Sequence, residues 1–427
     1  MVRRWIGPAQ YLFIPLIVQN VPGYLPPPGD YDEFVQRRVY YDPDPVTNLD
    51  RSISSYFAEV SYGRASINAR VSEPVVIDSV PADGNMTLAA IKAQPNSHPY
   101  EYLAVVYPAN NLGEGSGMAH PGKIEFNPPR TPNRTKARSR FLFDAPTGTY
   151  AMEIMHNVTD IGDYYNGLNH PDGYDEMADS QAQHPSAYTK LEAGWLDSES
   201  VPRHTGGAEN YALHALALPH PASAGRVAAL KIQAQGSNRY LIIEARLRSD
   251  RWDGGFFATK AIPEARNITY PGIPAEGVLI MEFSPETDSW PRQQPGPWPP
   301  LERRAVLGVG QTFNHFDSST TDPGVVDHRS GLGRQRSIAV RSQIAGGFVI
   351  DVTTDEAGRP PRVSVPLVLE FSSSHAGQVV SAADLVPKFT GDPQGPNAWV
   401  WRQSPNPGTE VDSGSTVTMQ LRTGPRQ

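Results

Sequence analysis

The chain contains no cysteine in 427 residues, so disulfides and thiolate metal sites are excluded. Zero cysteine is compatible with secretion from bacteria, where extracellular proteins often avoid thiols. There is no long Lys/Arg run, and a formal charge of -8 argues against nucleic acid or an anionic membrane as the main partner. No apolar run approaches the ~20 residues that a membrane span requires. The nearest candidate, residues 11–18 behind Arg3 and Arg4, is interrupted by Pro15 and followed by no small-x-small cleavage site. It therefore reads as a buried first strand rather than a signal peptide. A repeat of fixed period is also missing, as are a Gly-rich phosphate loop and a nucleophile elbow, which disfavours nucleotide chemistry and serine hydrolysis.

What the chain has in abundance is proline, 42 residues, and glycine, 37 residues, at 39% hydrophobic content. That composition describes a globular, β-rich protein with many turns, and the length suggests about two to four units. Residues 1–205 mix strand-like runs (11–18, 66–71, 102–107) with short helical patterns. In residues 49–63, Ile53, Tyr56, Phe57 and Val60 recur at helical spacing and Gly63 offers a stop. Residues 206–357 read as alternating strands separated by turn-formers, the pattern of a β-sandwich. Residues 358–427 follow a Gly/Pro linker and hold further β-runs. The fold class expected is α+β. The basic stretch "RTPNRTKARSR", residues 130–140, is expected to be a solvated loop, and the Pro/Trp-rich residues 284–304 an insertion lying on the sandwich.

The chemistry concentrates in "TGTYAMEIMHNVTDIGDYYNG", residues 147–167. A helix is predicted over 149–162, with Thr149 as N-cap, Gly162 as a left-handed stop, and Ala151, Ile154, Val158 and Ile161 as its packing stripe. Positions 152, 156 and 160 share another face. In an HExxH zinc helix, histidines at i and i+4 bind the metal and the glutamate after the first activates a bound water. Here those places hold Met152, Glu153 and His156. A neutral thioether is soft and a poor zinc donor, so this helix cannot supply the standard ligands. Asp160, one turn beyond His156, and Asp163 can both point toward the same ion, in an oxygen-rich set suited to Mn²⁺ or Ca²⁺. The plainer alternative places Met152 in the core and leaves His156 as a hydrogen-bonded helix residue. His170 and Asp172 offer a further ligand or simple turn chemistry. Asn85, Asn133, Asn157 and Asn267 match the glycosylation acceptor pattern, and a glycan on Asn157, beside His156, would be awkward.

Around this helix, residues 1–200 resemble, in order, the secreted zinc metallopeptidases of the immune inhibitor A and gametolysin-like group. "YLFIPLIVQNVPG" looks like the family's first strand, and "SISSYFAEVSYGRASINARV" is similar to its Tyr-Phe and Ser-Tyr-Gly segment. "GYDEMADSQAQHPSAYTKLEAGWLD", residues 173–197, is similar to its Met-turn and the His-Pro-Ser-x-Tyr-x-Lys and Gly-Trp-Leu run. The resemblance implies a zincin fold with Met177 as the Met-turn residue, Glu153 as general base, His156 as a zinc ligand and Asp163 as another, with Asp160 as a rival and Met152 at the degenerate ligand position. The strands after residue 226 look like the family's β-sandwich. The last 40 or so residues resemble a shortened PASTA module, through "VPKFTG" and "QSPNPGTEVDSGSTVTMQL", without a helix between those motifs.

Together these readings lead to two expectations. One is a catalytically inactive pseudo-peptidase, a binding or structural component of an extracellular assembly at a cell surface or on a particle. The other is an active secreted endopeptidase with an altered metal ligand set. Zinc is the implied cofactor wherever the site works. The partner is a peptide or protein, with cell wall suggested by the PASTA-like end. A Met152 introduced or arising by error in an active enzyme is a third possibility.

Overall fold

The computed structural model describes residues 2–20, 30–43, 48–81, 85–94, 100–108, 117–121, 137–143, 145–164, 171, 173–219, 225–233, 240–258, 268–283, 301–315, 336–354, 362–391, 398–412 and 414–423. It is an α+β protein. No helix among the described residues is long and apolar enough to cross a membrane.

The first unit is built on strands β1 (Gly7–Val18), β2 (Ala65–Val71), β3 (Val75–Ile77), β4 (Tyr102–Tyr107), β5 (Gly117–Pro121) and β6 (Ala137–Leu142). They lie in the order β2-β1-β4-β6-β5, with β3 beside the far end of β1. All pairings are parallel except that of β5, which runs antiparallel along β6 at the edge. Parallel strands are covered on both faces, and β1 and β4 are accordingly buried almost throughout. Helices α1 (Tyr31–Tyr40), α2 (Ile53–Val60), α3 (Met86–Ala93) and α4 (Thr147–Thr159) cover the sheet, and the short α5 (Glu176–Asp179) and α6 (Ala187–Glu192) follow. α2 forms as the spacing requires. Ser52 caps it through Ser55 N, Ile53, Tyr56, Phe57 and Val60 are buried, and Gly63 turns the chain at φ 76°. The expectation for residues 130–140 needs correcting at its end: residues from 137 onward belong to the inner strand β6, where Ala137 and Ser139 are fully buried. Its polar side chains concealed a strand whose neighbours on both sides are distant in sequence.

The second unit is a pair of sheets. One runs β14-β13-β10-β9-β7, made of β7 (Arg203–His204), β9 (Ala229–Gln233), β10 (Tyr240–Arg246), β13 (Gly277–Phe283) and β14 (Leu301–Leu307). The other runs β15-β16-β17-β8, made of β8 (Gly207–His214), β15 (Thr312–His315), β16 (Arg336–Ile344) and β17 (Gly347–Thr354). Leu241, Ile243, Val278 and Ile280 of the first meet Ile338, Val340, Phe348 and Ile350 of the second in one core. The opposite face of the first sheet, through Ile242, Leu279 and Met281, packs into the core of the first unit. β10 and β13 are therefore buried on both faces; residues 241–243 of β10 and 278–281 of β13 are apolar runs for that reason, while β10 also buries the charged Glu244 and Arg246. Between them lie α7 (Arg251–Gly254) and the small hairpin β11 (Phe256–Ala258) and β12 (Ile268–Tyr270). Residues 305–313 are divided between β14 and β15, and Gly310, at φ 83°, turns the chain from one sheet to the other. β7 already belongs to the sandwich, inside the span expected for the first unit. The expected insertion at 284–304 lies outside the described residues up to 300, and from 301 it is strand β14.

The third unit joins β18 (Arg362–Ser364) to β21 (Glu410–Asp412), and places α8 (Ser373–Ala382) against the sheet β19 (Val386–Gly391), β22 (Thr416–Arg422), β20 (Trp399–Ser404). Ala376 and Val380 of α8 share its core with Val400, Val417, Met419 and Leu421. A helix is therefore present ahead of "VPKFTG"; residues 392–397, between the two motifs, lie outside the described residues.

Candidate functional site

The helix that carries MEIMH begins two residues before the predicted start. Pro146 precedes it, Thr147 Oγ1 donates to Arg51 O at 2.6 Å, and Thr149 is buried within the helix rather than capping it. It ends at Asp160, which takes the left-handed conformation at φ 59° in place of Gly162. The expected stripe of Ala151, Ile154, Val158 and Ile161 is buried, as are Met152 and Met155. Among residues 147–159 only Glu153 and His156 are not buried. Gly148 meets the turn after α5 so closely that a Cβ there would lie 2.5 Å from Ala182 N and closer still to Ser180 O. Both obstacles are backbone, so a Gly148→Ala variant is expected to lose roughly 1–3 kcal/mol, visible as a lowered thermal midpoint.

His156 is held at both ring nitrogens. Nδ1–H donates to Ile161 O at 2.6 Å, and Nε2 lies at ion-pair distance, 2.8 Å, from Asp163 Oδ1. Burial opposes charging the ring, but Asp163 and Glu153 outweigh it and raise the imidazole above its ordinary pKa. The two acidic groups thus favour the charged form of the ring. Burial pushes Glu153 up to about 7, against the pull of His156 and with the help of Asp163. Asp160 is turned elsewhere: Arg3 grips both its oxygens, Nε to Oδ2 and Nη2 to Oδ1, each at 2.8 Å. Asp163, not Asp160, is therefore the carboxylate brought to His156.

Met177 is fully buried, and its carbonyl accepts from Tyr164 N at 2.8 Å, which ties its turn to the residue after Asp163. Asp175 holds that turn, accepting from Met177 N at 2.8 Å, Ser186 N at 2.9 Å and Thr189 Oγ1 at 2.7 Å. Buried Asn157 donates to Ser139 Oγ from inside the core, which leaves no room for a glycan, and Asn85 caps α3 through Leu88 N. Asn133, Asn267, His170 and Asp172 lie outside the described residues.

These residues do not fit a three-ligand zinc ion. The site gathers one imidazole and one carboxylate, and the place of the third donor holds the thioether of Met152, which Zn²⁺ accepts poorly. Among the described residues, the one group of three His, Asp or Glu side chains close enough to hold an ion lies elsewhere, at Glu59, His184 and Asp250.

Glu153 also gives a pH test. The unfolded carboxyl titrates near 4.5 and the folded one near 7, so the folded state keeps a proton that the unfolded chain gives up in between. Stability is therefore expected to fall as pH rises through that window. A Glu153→Gln variant should remove this slope, melting higher than the parent at pH 8 by roughly 1–3 kcal/mol and about equally at pH 4.5. Thermal scans at the two pH values measure it.

Sequence reasoning missed the charged network behind this site. His184 and Lys190 stood out only through the resemblance, and Glu59, Glu244, Arg246, Asp250 and Asp253 gave no signal. Arg246 of β10 grips Asp253 with Nε at 3.0 Å and Nη2 at 2.7 Å, and reaches Glu244 Oε1 at 3.1 Å. It also donates to Tyr174 O at 2.5 Å and His184 O at 3.0 Å, so the sandwich holds the chain on both sides of the Met177 turn. Lys190 Nζ lies 2.9 Å from His184 Nδ1 and 2.9 Å from Tyr62 Oη. Burial, helped by Lys190, keeps the His184 ring neutral. No protein-family model matches the chain, and no curated protein matches it.

Proposed function

We propose that this is a metallopeptidase-like protein with a degenerate zinc site, which does not hydrolyse peptides and serves as a binding or structural component of an extracellular assembly. The observation that carries the reading is the donor count. At the helix where the resemblance places zinc, Met152 is 3% exposed at the first ligand position, and His156 Nε2 is paired with Asp163. The partner is a protein or peptide, and the PASTA-like end adds a surface for cell wall. The test compares the metal content of the native chain with that of a His156→Ala variant by elemental mass spectrometry, alongside digestion of an unfolded protein with and without chelator. The expected result is no ion that depends on His156 and no chelator-sensitive digestion.

A second reading, an active endopeptidase with an altered ligand set, is favoured by one specific feature. Glu153 titrates near 7, where a carboxylate can exchange protons with a reacting water, and the Ile161 carbonyl aims His156 Nε2 into the site as it would a metal ligand. Digestion that disappears in Glu153→Gln would establish this reading and overturn the first.

A further inference from the structure

Three side chains from distant parts of the chain converge at the junction of the first unit and the sandwich. Glu59 comes from the last turn of α2, His184 from the loop before α6, and Asp250 from the N-cap of α7. Each offers one ligand atom, and these atoms all lie within 4.8 Å of one another. We propose that Glu59, His184 and Asp250 form a metal site for a divalent transition ion, with Zn²⁺ the best match. One imidazole nitrogen and two carboxylate oxygens make a borderline donor set of the kind zinc takes, with a fourth place left for water.

The surroundings aim each ligand inward. Lys190 Nζ occupies His184 Nδ1, so Nε2 faces the carboxylates and lies 2.5 Å from Asp250 Oδ2. Asp250 Oδ1 is occupied by Trp252 N at 3.0 Å and Asp253 N at 2.8 Å, which turns Oδ2 toward the ring. Glu59 Oε2 accepts from Arg251 Nη2 at 2.8 Å and Trp252 Nε1 at 3.1 Å, leaving the other oxygen for the ion. The four donors to Asp250 and Glu59 therefore sit on the outer sides of those carboxylates, where partners that orient metal ligands belong. Two carboxylates facing one another beside a neutral ring repel unless a proton or a cation lies between them. The site is also reachable: side-chain exposure is 32% for Glu59, 11% for Asp250 and 0% for His184.

With an ion at Nε2 the ring's own proton would stand on Nδ1, shared with Lys190 Nζ 2.9 Å away. Because the ligands come from both units, the ion would also join them.

The test uses the whole chain, stripped with chelator, dialysed and titrated with Zn²⁺ by calorimetry, together with His156→Ala, Glu59→Gln and Asp250→Asn variants. Both carboxamides keep the outer oxygen that accepts from Trp252 or the α7 backbone. About one equivalent is expected in the parent and in His156→Ala, with affinity at least tenfold lower in Glu59→Gln and Asp250→Asn. No binding by the parent, or binding lost only in His156→Ala, overturns the proposal. Should a variant misfold, an anomalous difference map from zinc-soaked crystals of the parent decides: a peak between Glu59, His184 and Asp250 supports the site, and a peak at His156 or none refutes it.

Discussion

An Arg246→Met variant is expected to lose about 3–5 kcal/mol of stability, because removing one partner of a buried ion pair strands the others without compensation. The guanidinium is fully buried and makes five hydrogen bonds: two to Asp253, one to Glu244 and one each to the carbonyls of Tyr174 and His184. Methionine fills similar volume but leaves Asp253 and Glu244 without the cation they share, together with two carbonyls that have lost a donor. Lysine should not rescue the loss, since a single ammonium cannot reproduce the forked contact with Asp253. An Arg246→Met/Asp253→Asn double variant should recover part of it, because one stranded charge is gone. Urea midpoints followed by tryptophan fluorescence measure the series. A loss under about 1 kcal/mol would mean that water or a shifted side chain reaches these groups. The same bonds anchor the chain on both sides of the Met177 turn, so the variant should also expose residues 173–187 to limited proteolysis before the rest of the protein.

The parts of this fold that were legible in the sequence are those in which local pattern and tertiary demand agree. α2 has an apolar face at helical spacing, a serine cap and a glycine stop, and it forms as read. β1, β2 and β4 are apolar or alternating runs at the expected places. The errors have a common physical source, which is long-range partners. β6 looks like a basic loop because its arginines flank positions buried only by the arrival of β4. The end of α4 moved from Gly162 to Asp160 because Arg3, 157 residues away, holds Asp160 in a conformation that costs a non-glycine residue some energy. That same contact decides between Asp160 and Asp163 at His156, a choice that spacing along one helix could not make. The ion-pair network and the Glu59, His184 and Asp250 cluster draw on three separated segments, so nothing short of the folded chain brings them together.

Met152→His is the variant with the largest expected effect on chemistry. Positions 152 and 156 are one turn apart on α4, and Asp163 already stands 2.8 Å from the His156 ring. A second imidazole in place of the thioether raises the donor set to two nitrogens and one carboxylate oxygen, the count that a hydrolytic zinc site uses with water in the fourth place. Met152 is buried, so without metal the new polar ring lacks a partner, and the stripped variant should melt lower than the parent by about 1–3 kcal/mol. Zinc should return that stability and more, since it binds only the folded form. Carried out in a Glu59→Gln background, which silences the junction site, the titration should show zinc affinity at position 156 at least a hundredfold above that of the same background with Met152. The ion would lower the pKa of its bound water toward 7, beside a Glu153 that titrates in the same range. Hydrolysis of an unfolded protein should then appear and disappear again with Glu153→Gln. Zinc uptake without hydrolysis would mean that the ligand count alone does not make the site hydrolytic. No uptake at all would mean that α4 does not bring positions 152, 156 and 163 around one point.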